Sequence, residues 1–139
     1  MKERSFLDTN ILVYTDDAAF PEKQALAVEL LGAGWNSGNA VLSTQVLQEY
    51  FAAATRKLGV STEIARRKIE LLGRLDVAAI TPDDILQAID QHRLYGFSFW
   101  DALIVWTAQK CACRILYSED MQHGRRIGDL MIVNPFRRE

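Results

Sequence analysis

Residues 5–10 read SFLDTN, a short apolar run that ends directly at an aspartate. Similar runs bounded by polar residues recur along the chain, at 40–43 (AVLS), 77–80 (VAAI), 114–118 (RILYS) and 130–133 (LMIV). Their length and their bounding residues are typical of buried β-strands. The sequence therefore predicts a set of short strands, of which SFL is the first.

The segments between these runs carry apolar patterns with helical spacing. They predict helices over Pro21 to about Leu31, over 46–58 with a stop at Gly59, after Ser61, from Thr81 to Gly96, and from Phe99 to Cys111. In TPDD at 81–84, Thr81 is the expected cap, Pro82 the first helical residue and Asp84 the capping acid. Strands that alternate with helices imply parallel βαβ units. We expect an α/β chain, folded over 1–139 as one three-layer α/β/α domain with a central, mainly parallel sheet.

Length and composition limit the class of protein. A chain of 139 residues that is 49% hydrophobic can bury one sizeable core. The formal net charge of −2 gives no global field toward nucleic acid or membranes, so any polyanion must be bound by a local patch. No signal-peptide run or membrane-length apolar stretch is visible, which predicts a cytoplasmic protein. Cys111 and Cys113 are expected to be reduced packing residues.

Two acids directly follow predicted strands. Asp8 follows SFL and Asp120 follows RILYS, and ligands of parallel sheets bind beyond the carboxyl ends of the strands. Each acid also has a local explanation, as an Asx-turn or N-cap carboxylate. Ser118 and Glu119 sit beside Asp120, so the sequence leaves open whether Glu119 or Asp120 points inward.

Two further acids lie near the starts of predicted helices. Glu49 is at the edge of an apolar stripe, where a glutamate is usually solvated. Asp101 stands in SFWDALIVW at 98–106, among large apolar side chains. Ser98 and Asp101 fit a capping box, in which the side chain of each residue accepts the backbone N–H of the other. A buried carboxylate without a partner costs several kcal/mol, so Asp101 is expected to be a cap, a cation ligand or both.

The joint pattern favours a cation site. If all four acids converge at one edge of the sheet, carboxylates about 4 Å apart repel by about 4 kcal/mol per pair at an effective dielectric of about 20. Such a cluster needs protonation or a cation. Oxygen ligands favour Mg²⁺ or Mn²⁺, and such an ion serves phosphate chemistry.

Four segments of the chain resemble the acidic motifs of a known family. They are FLDTNILVY at 6–14, STQVLQEYF at 43–51, FSFWDALIVWTA at 97–108 and ILYSEDMQHG at 115–124. In this order they are similar to the motifs of PIN-domain nucleases, and above all of VapC-like toxins from type II toxin–antitoxin pairs. The likeness extends to IVNPF at 132–136.

The resemblance implies an α/β/α fold, Mg²⁺-dependent endoribonuclease activity with Mn²⁺ as a substitute, frequent homodimers and a cognate antitoxin that blocks the site. By position it assigns the catalytic, metal-binding acids to Asp8, Glu49, Asp101 and Asp120, with Thr9, Asn10 and Ser118 orienting them. Asp8 and Asp101 would bind the ion most directly. The substrate would be RNA, with transfer RNA among the targets that relatives suggest.

Contacts to RNA must come from basic patches. RRK at 66–68 is typical of a solvated helix face, whereas Arg125 and Arg126 closely follow the proposed site and are candidate phosphate contacts. Trp100 and Trp106 lie in an apolar helix, which favours core or dimer contacts over base stacking.

Other classes of protein fit less well. A response regulator would need an acidic pair directly after the first strand, where this chain has Asp8 followed by Thr9. A haloacid dehalogenase phosphatase would need Asp-x-Asp in place of DTN. A non-catalytic RNA-binding or regulatory module of the same fold stays open as the alternative.

Overall fold

The computed structural model describes residues 3–137. Within them, the strands form one six-stranded sheet in the order β3-β2-β1-β4-β6-β5. The strands are β1 (Ser5–Leu7), β2 (Ala40–Ser43), β3 (Asp76–Ala78), β4 (Ile115–Tyr117), β5 (Arg126–Ile127) and β6 (Leu130–Val133). All neighbouring pairs are parallel except β5 and β6, which are antiparallel.

Helices flank this sheet, which confirms the predicted α/β class with a mainly parallel sheet. They are α1 (Thr9–Tyr14), α2 (Pro21–Ser37), α3 (Thr44–Lys57), α4 (Thr62–Leu72), α5 (Pro82–Tyr95) and α6 (Phe99–Lys110). The predicted caps Ser61 and Thr81 each accept a backbone N–H of the first turn through the hydroxyl group. These side chains satisfy donors that a helix start otherwise leaves unpaired.

The hydrophobic core lies along the central strands. Phe6, Val41, Leu42, Leu116 and Ile132 are fully buried. Strands covered on both faces need apolar residues in succession rather than in alternation. This explains why SFL, AVLS and LMIV were visible as continuous apolar runs.

Helix α2 differs from its prediction, because it continues to Ser37 instead of ending near Leu31. Gly34 lies inside it, and a Cβ built on this residue would meet the Cβ of Ala40 at 2.5 Å. The glycine therefore allows the helix to approach β2 closely, and it is not a stop signal. Strand β5 was missed, since two residues are too few to show a period.

The chain reverses its direction across the sheet at β1. From β1 it passes to β2 and β3 on one side, and it returns to β4 on the other side. Such a switch point leaves a crevice beyond the carboxyl ends of the two central strands, which is where ligands bind in open α/β sheets. No helix within residues 3–137 is long and apolar enough to cross a membrane.

Candidate active site

Asp8 lies at this crevice, immediately after β1. It is the N-cap of α1, and one carboxylate oxygen accepts the backbone N–H of Thr9 at 2.7 Å. The other oxygen accepts the hydroxyl of Ser118, beyond β4, at 2.8 Å. The side chain is buried, and burial raises its pKa to about 6, helped by the charges of Asp101 and Glu49 and opposed by the two hydrogen bonds. Asp8 can therefore cap α1 and belong to the candidate site at the same time.

Glu49 reaches the crevice from α3. One of its oxygens accepts the hydroxyl of Thr9 at 2.7 Å, and the other accepts Nε2 of Gln45 at 3.4 Å. The same Gln45 nitrogen donates to the backbone oxygen of Trp100 at 3.2 Å, which links α3 to the start of α6. The sequence reasoning missed Gln45. Its spacing from Glu49, one helical turn on the same face, was the signal that could have revealed it.

Asp101 is in the first turn of α6. Its backbone N–H donates to the Ser98 hydroxyl at 3.1 Å, so Ser98 is the helix cap. The pKa of Asp101 is raised by burial and by the charges of Asp120 and Glu49, while a hydrogen bond with Ser98 opposes the shift. Asp101 is therefore close enough to Asp120 and Glu49 for their charges to raise its pKa.

The two acids after β4 have different partners. Asp120 is exposed and accepts Nδ2 of Asn10 at 2.6 Å. Glu119 accepts the Tyr14 hydroxyl at 2.6 Å and the Lys23 ammonium at 2.6 Å. Asp120 is thus held by α1, and its charge raises the pKa of Asp101, whereas Glu119 is held by both α1 and α2.

Helix α1 connects these groups although it is only six residues long. Asp8 caps it, Thr9 holds Glu49 and Asn10 holds Asp120. The residues that the resemblance assigned to orientation therefore touch the acids they were expected to orient.

The acids of the candidate site form no ion pair with the basic side chains that the structure describes. Among residues 3–137, none of the ion pairs includes Asp8, Glu49, Asp101 or Asp120. Within the same residues, no three His, Cys, Asp or Glu side chains are arranged to share one metal ion. Uncompensated carboxylates repel one another, which favours such separation.

The donor chemistry fits a hard divalent cation. The candidate donors are carboxylate oxygens, and Oε1 of Gln45 is buried with no hydrogen-bond partner among the described residues. Oxygen donors of this kind suit Mg²⁺ and Mn²⁺, which also keep several of their waters.

The two candidate RNA contacts are in unlike environments. The Arg125 guanidinium donates to the backbone oxygen of Tyr95 at 3.2 Å and lies 4.4 Å from the Phe97 ring centroid. It therefore braces the loop that precedes Ser98. Arg126 is exposed on β5. Trp100 is 61% exposed, which excludes the core position that was one of its two predicted alternatives, and the dimer contact stays a prediction.

Comparisons with known proteins agree with this architecture. The PIN domain family model matches residues 5–130. A search of curated protein sequences gave no match. Among solved structures, VapC20 of Mycobacterium tuberculosis, described as a Sarcin-Ricin loop cleaving toxin, is 23% identical with a TM-score of 0.64, over 84% of this chain and 89% of that one.

Two complexes have the same fold. A toxin–antitoxin complex from Klebsiella pneumoniae is 19% identical with a TM-score of 0.68, over 95% of this chain and 98% of the other. VapBC2 from Rickettsia felis, bound to a DNA fragment from its promoter, is 19% identical with a TM-score of 0.65, over 92% and 96%. At these identities the likeness establishes the fold.

The fold and the site together define a class of α/β proteins that collect acids at the switch point of a mainly parallel sheet. The family model covers most of the chain, and the chain belongs to the PIN domain family.

Proposed function

We propose that this protein is an endoribonuclease, the toxin of a type II toxin–antitoxin pair, and that it hydrolyses RNA phosphodiester bonds with bound Mg²⁺ or Mn²⁺. The observation that carries the proposal is the acidic group at the switch point. The pKa of Asp8 and of Asp101 is raised by burial and by neighbouring acids, and none of the described basic side chains pairs with either. A cation would relieve this repulsion.

Asp8 and Asp101 would hold the ion most directly, and Glu49 and Asp120 would complete the site, some through water. When bound, the ion would activate a water and neutralise charge on the phosphate. Thr9 and Ser118 fix the Asp8 carboxylate by hydrogen bonds. Metal binding by all four acids would require their side chains to move toward one another, because no three of the described acids are arranged to share one ion.

The experiment is cleavage of total RNA by the purified protein with Mg²⁺ or Mn²⁺, against EDTA. Asp8→Asn, purified identically, shows how much cleavage comes from contaminating ribonuclease. Fragments that need both the metal and Asp8 support the proposal, and their sequences identify the substrate, including transfer RNA if it is one. Equal cleavage by Asp8→Asn overturns it. RNA binding without cleavage across a broad RNA panel supports the non-catalytic alternative.

We propose that Arg126 and Arg125 contact RNA. For Arg125 the contact would lie beside the loop that precedes Ser98, which this side chain holds. Both follow the acidic loop after β4, and Arg125 touches the segment directly before Ser98. VapC20 is described as cleaving an RNA loop, which supports RNA as the substrate class. An RNA substrate would place the enzyme in the cytoplasm.

An antitoxin partner is proposed because two of the similar structures are toxin–antitoxin complexes. An apolar groove between α2 and α4, lined by Val28, Leu31, Trp35 and Leu71 among others, offers such a partner a surface. A small protein that inhibits cleavage by wild type, but not by Trp35→Lys, would support this partner. Equal inhibition of both proteins would exclude the groove.

A homodimer is also proposed. Helix α5 exposes Ile85, Leu86 and Ile89, which are 40%, 61% and 40% accessible, and contiguous exposed apolar side chains mark interaction surfaces. Analytical ultracentrifugation of wild type and Leu86→Glu tests this: a dimer that becomes a monomer in the variant supports it, and a wild-type monomer contradicts it.

A further inference from the structure

Two neighbouring acids in the loop after β4 are held by one face of α1. Asn10 donates to Asp120 at 2.6 Å, and Tyr14, one turn later on the helix, donates to Glu119 at 2.6 Å. Residues four apart on a helix lie above one another. The same helix face therefore contacts both acids, and each acid has its own partner.

Glu119 uses both of its oxygens in these contacts. One accepts the Tyr14 hydroxyl, and the other accepts the Lys23 ammonium of α2 at 2.6 Å. The side chains of Lys23 and Glu119 are 36% and 21% exposed. An ion pair that is partly buried, and whose carboxylate also accepts a hydrogen bond from Tyr14, keeps its geometry better than an exposed pair.

Aromatic rings surround the lysine. Its Nζ is 5.1 Å from the ring centroid of Tyr14, 5.5 Å from that of Phe20 and 5.7 Å from that of Phe136. Tyr14 packs edge-on against the rings of Phe20 and Phe136, at 5.9 and 4.9 Å between centroids. Cation–π attraction adds to the ion pair and limits the rotamers of Lys23.

We propose that Tyr14, Lys23 and Glu119 are positioning residues that fix the loop after β4 and so keep Asp120 directed at the acidic site. They form a unit, here called the Glu119 clamp. The proposal rests on the proposed function for the role of Asp120. Its physical basis is that Asp120 is exposed, and an exposed hydrogen bond to Asn10 gives little order to a loop. Fixing the adjacent residue supplies that order.

The clamp also removes a competing charge. An unpaired Glu119 would add a carboxylate next to Asp120, and either acid could then turn toward the site. Pairing with Lys23 neutralises Glu119 and directs it to α2, while Asp120 stays bound to Asn10 without a cationic partner among the described residues. The sequence alone left this choice open.

A second unit of the same chemistry provides a matched control. Lys68 pairs with Asp16 at 2.9 Å, Tyr50 donates to the same carboxylate, and the Lys68 ammonium lies 5.2 Å from the Tyr50 ring centroid. The side chains of Lys68 and Asp16 are 20% and 23% exposed. Lys68 also donates to the hydroxyl of Thr15, the C-cap of α1, so this unit holds the other end of the helix that carries Asn10. None of the described hydrogen bonds joins it directly to Asp8, Glu49, Asp101 or Asp120, so its removal should lower stability without changing the hydrogen bond between Asn10 and Asp120.

The test compares Glu119→Gln, Lys23→Met, Lys23→Arg and the control Lys68→Met, all checked for folding by thermal unfolding. The first readout is the side-chain amide signal of Asn10 by NMR without metal, which reports its hydrogen bond to Asp120. The second is Mn²⁺ affinity by calorimetry. We expect Glu119→Gln and Lys23→Met to shift the Asn10 signal and to weaken Mn²⁺ about tenfold, the usual scale for groups that orient ligands.

Lys23→Arg should give the wild-type Asn10 signal and the wild-type Mn²⁺ affinity, because arginine keeps the positive charge and the N–H donors. Lys68→Met should leave both unchanged even if it unfolds at a lower temperature. An unchanged Asn10 signal in Glu119→Gln and Lys23→Met, or an equal shift in Lys68→Met, overturns the proposal. If wild type binds no Mn²⁺, the proposed function fails, while the Asn10 signal still decides the positioning role.

Discussion

Asp84 and Asp101 occupy the same place in their helices, and their environments are opposite. Each is the third residue of a helix, and each gives its backbone N–H to a hydroxyl cap, Thr81 for α5 and Ser98 for α6. Asp84 is almost completely buried, and its carboxylate accepts Trp106 Nε1 and Lys110 Nζ, both at 2.9 Å, as well as the Thr81 backbone.

The difference appears in their pKa values. Burial alone would raise the pKa of Asp84, but hydrogen bonds from Trp106, Lys110 and Thr81 outweigh it and hold the pKa well below its usual range. The pKa of Asp101 is raised, because burial is joined by the charges of Asp120 and Glu49. One local motif thus supplies an aspartate that is paired with a lysine and one that has other acids nearby instead, and the second belongs to the candidate site.

The largest expected effect concerns cleavage. Asp101→Asn should lower RNA cleavage at least about 100-fold, the scale found when one electrostatic contact to a transition state is removed. It should also weaken Mn²⁺ binding in calorimetry, while unfolding stays within about 0.5 kcal/mol of wild type because the Ser98 cap is kept. Asp84→Asn should keep full activity per folded molecule. Equal Mn²⁺ affinity in Asp101→Asn and wild type would remove Asp101 from the metal ligands.

The pH dependence of stability should separate the two kinds of acid. The pKa of Asp8 in the folded protein is about 6, above its ordinary 3.8, so the folded state binds this proton more tightly than the unfolded chain does. Stability of the metal-free protein therefore falls as pH rises from about 4 to about 6, by up to about 3 kcal/mol. Urea unfolding across this range measures the slope, which Asp8→Asn should reduce. A slope unchanged in the variant would contradict the raised pKa.

Asp84 should show the opposite sign. Because its pKa is lowered in the folded state, its stabilising effect is present above the pKa of the unfolded chain and is lost as pH falls below about 4. At neutral pH, Asp84→Asn should cost about 2 kcal/mol in urea unfolding, since charge-assisted hydrogen bonds are weakened. The exposed neighbour Asp83→Asn is the control and should cost little. Equal costs would mean that the Lys110 and Trp106 contacts contribute nothing.

The smallest expected effect concerns Arg126, which is exposed on the edge strand β5. Arg126→Gln should weaken RNA binding and lower the slope of log K against log salt by about 1, the contribution of one phosphate contact. Binding of a fluorescent RNA to the metal-free protein at several salt concentrations measures both. Arg67→Gln, which removes an exposed arginine paired with Glu70, is the control. The same slope in both variants would exclude Arg126 from the RNA surface.

The local parts of this comparison could be predicted from the sequence, and the tertiary parts could not. Thr81 and Ser98 were both visible as caps, because capping residues lie within four positions of their targets. The partners of Asp84 lie 22 and 26 residues away, on a helix whose rotation is set by packing. The sequence around the two caps does not show that Asp84 will pair with Lys110, or that Asp101 will have Asp120 among its neighbouring charges.

The same limit applies to the site. Strands β1 to β4, strand β6 and the acids that follow β1 and β4 could be predicted, because the carboxyl ends of parallel strands meet at one edge of a sheet. The switch point at β1 could not, since it depends on the strand order, which the sequence does not show. The role of Gly34 in helix–sheet contact could not, because a glycine in a helix looks like a stop signal. The partners of Glu119 could not either, since Tyr14 and Lys23 are 105 and 96 residues away.

The central position of β1 has a consequence for how the protein is made. Asp8 is synthesised 110 residues before Ser118, whose hydroxyl holds its carboxylate. Strand β4, which is followed by the loop with Ser118 and Asp120, can pair with β1 only after the residues between the two strands have been synthesised. A partly translated chain therefore has the first acid without the last. If the proposed RNA cleavage needs both acids, this order delays it until the segment with Ser118 and Asp120 has been synthesised.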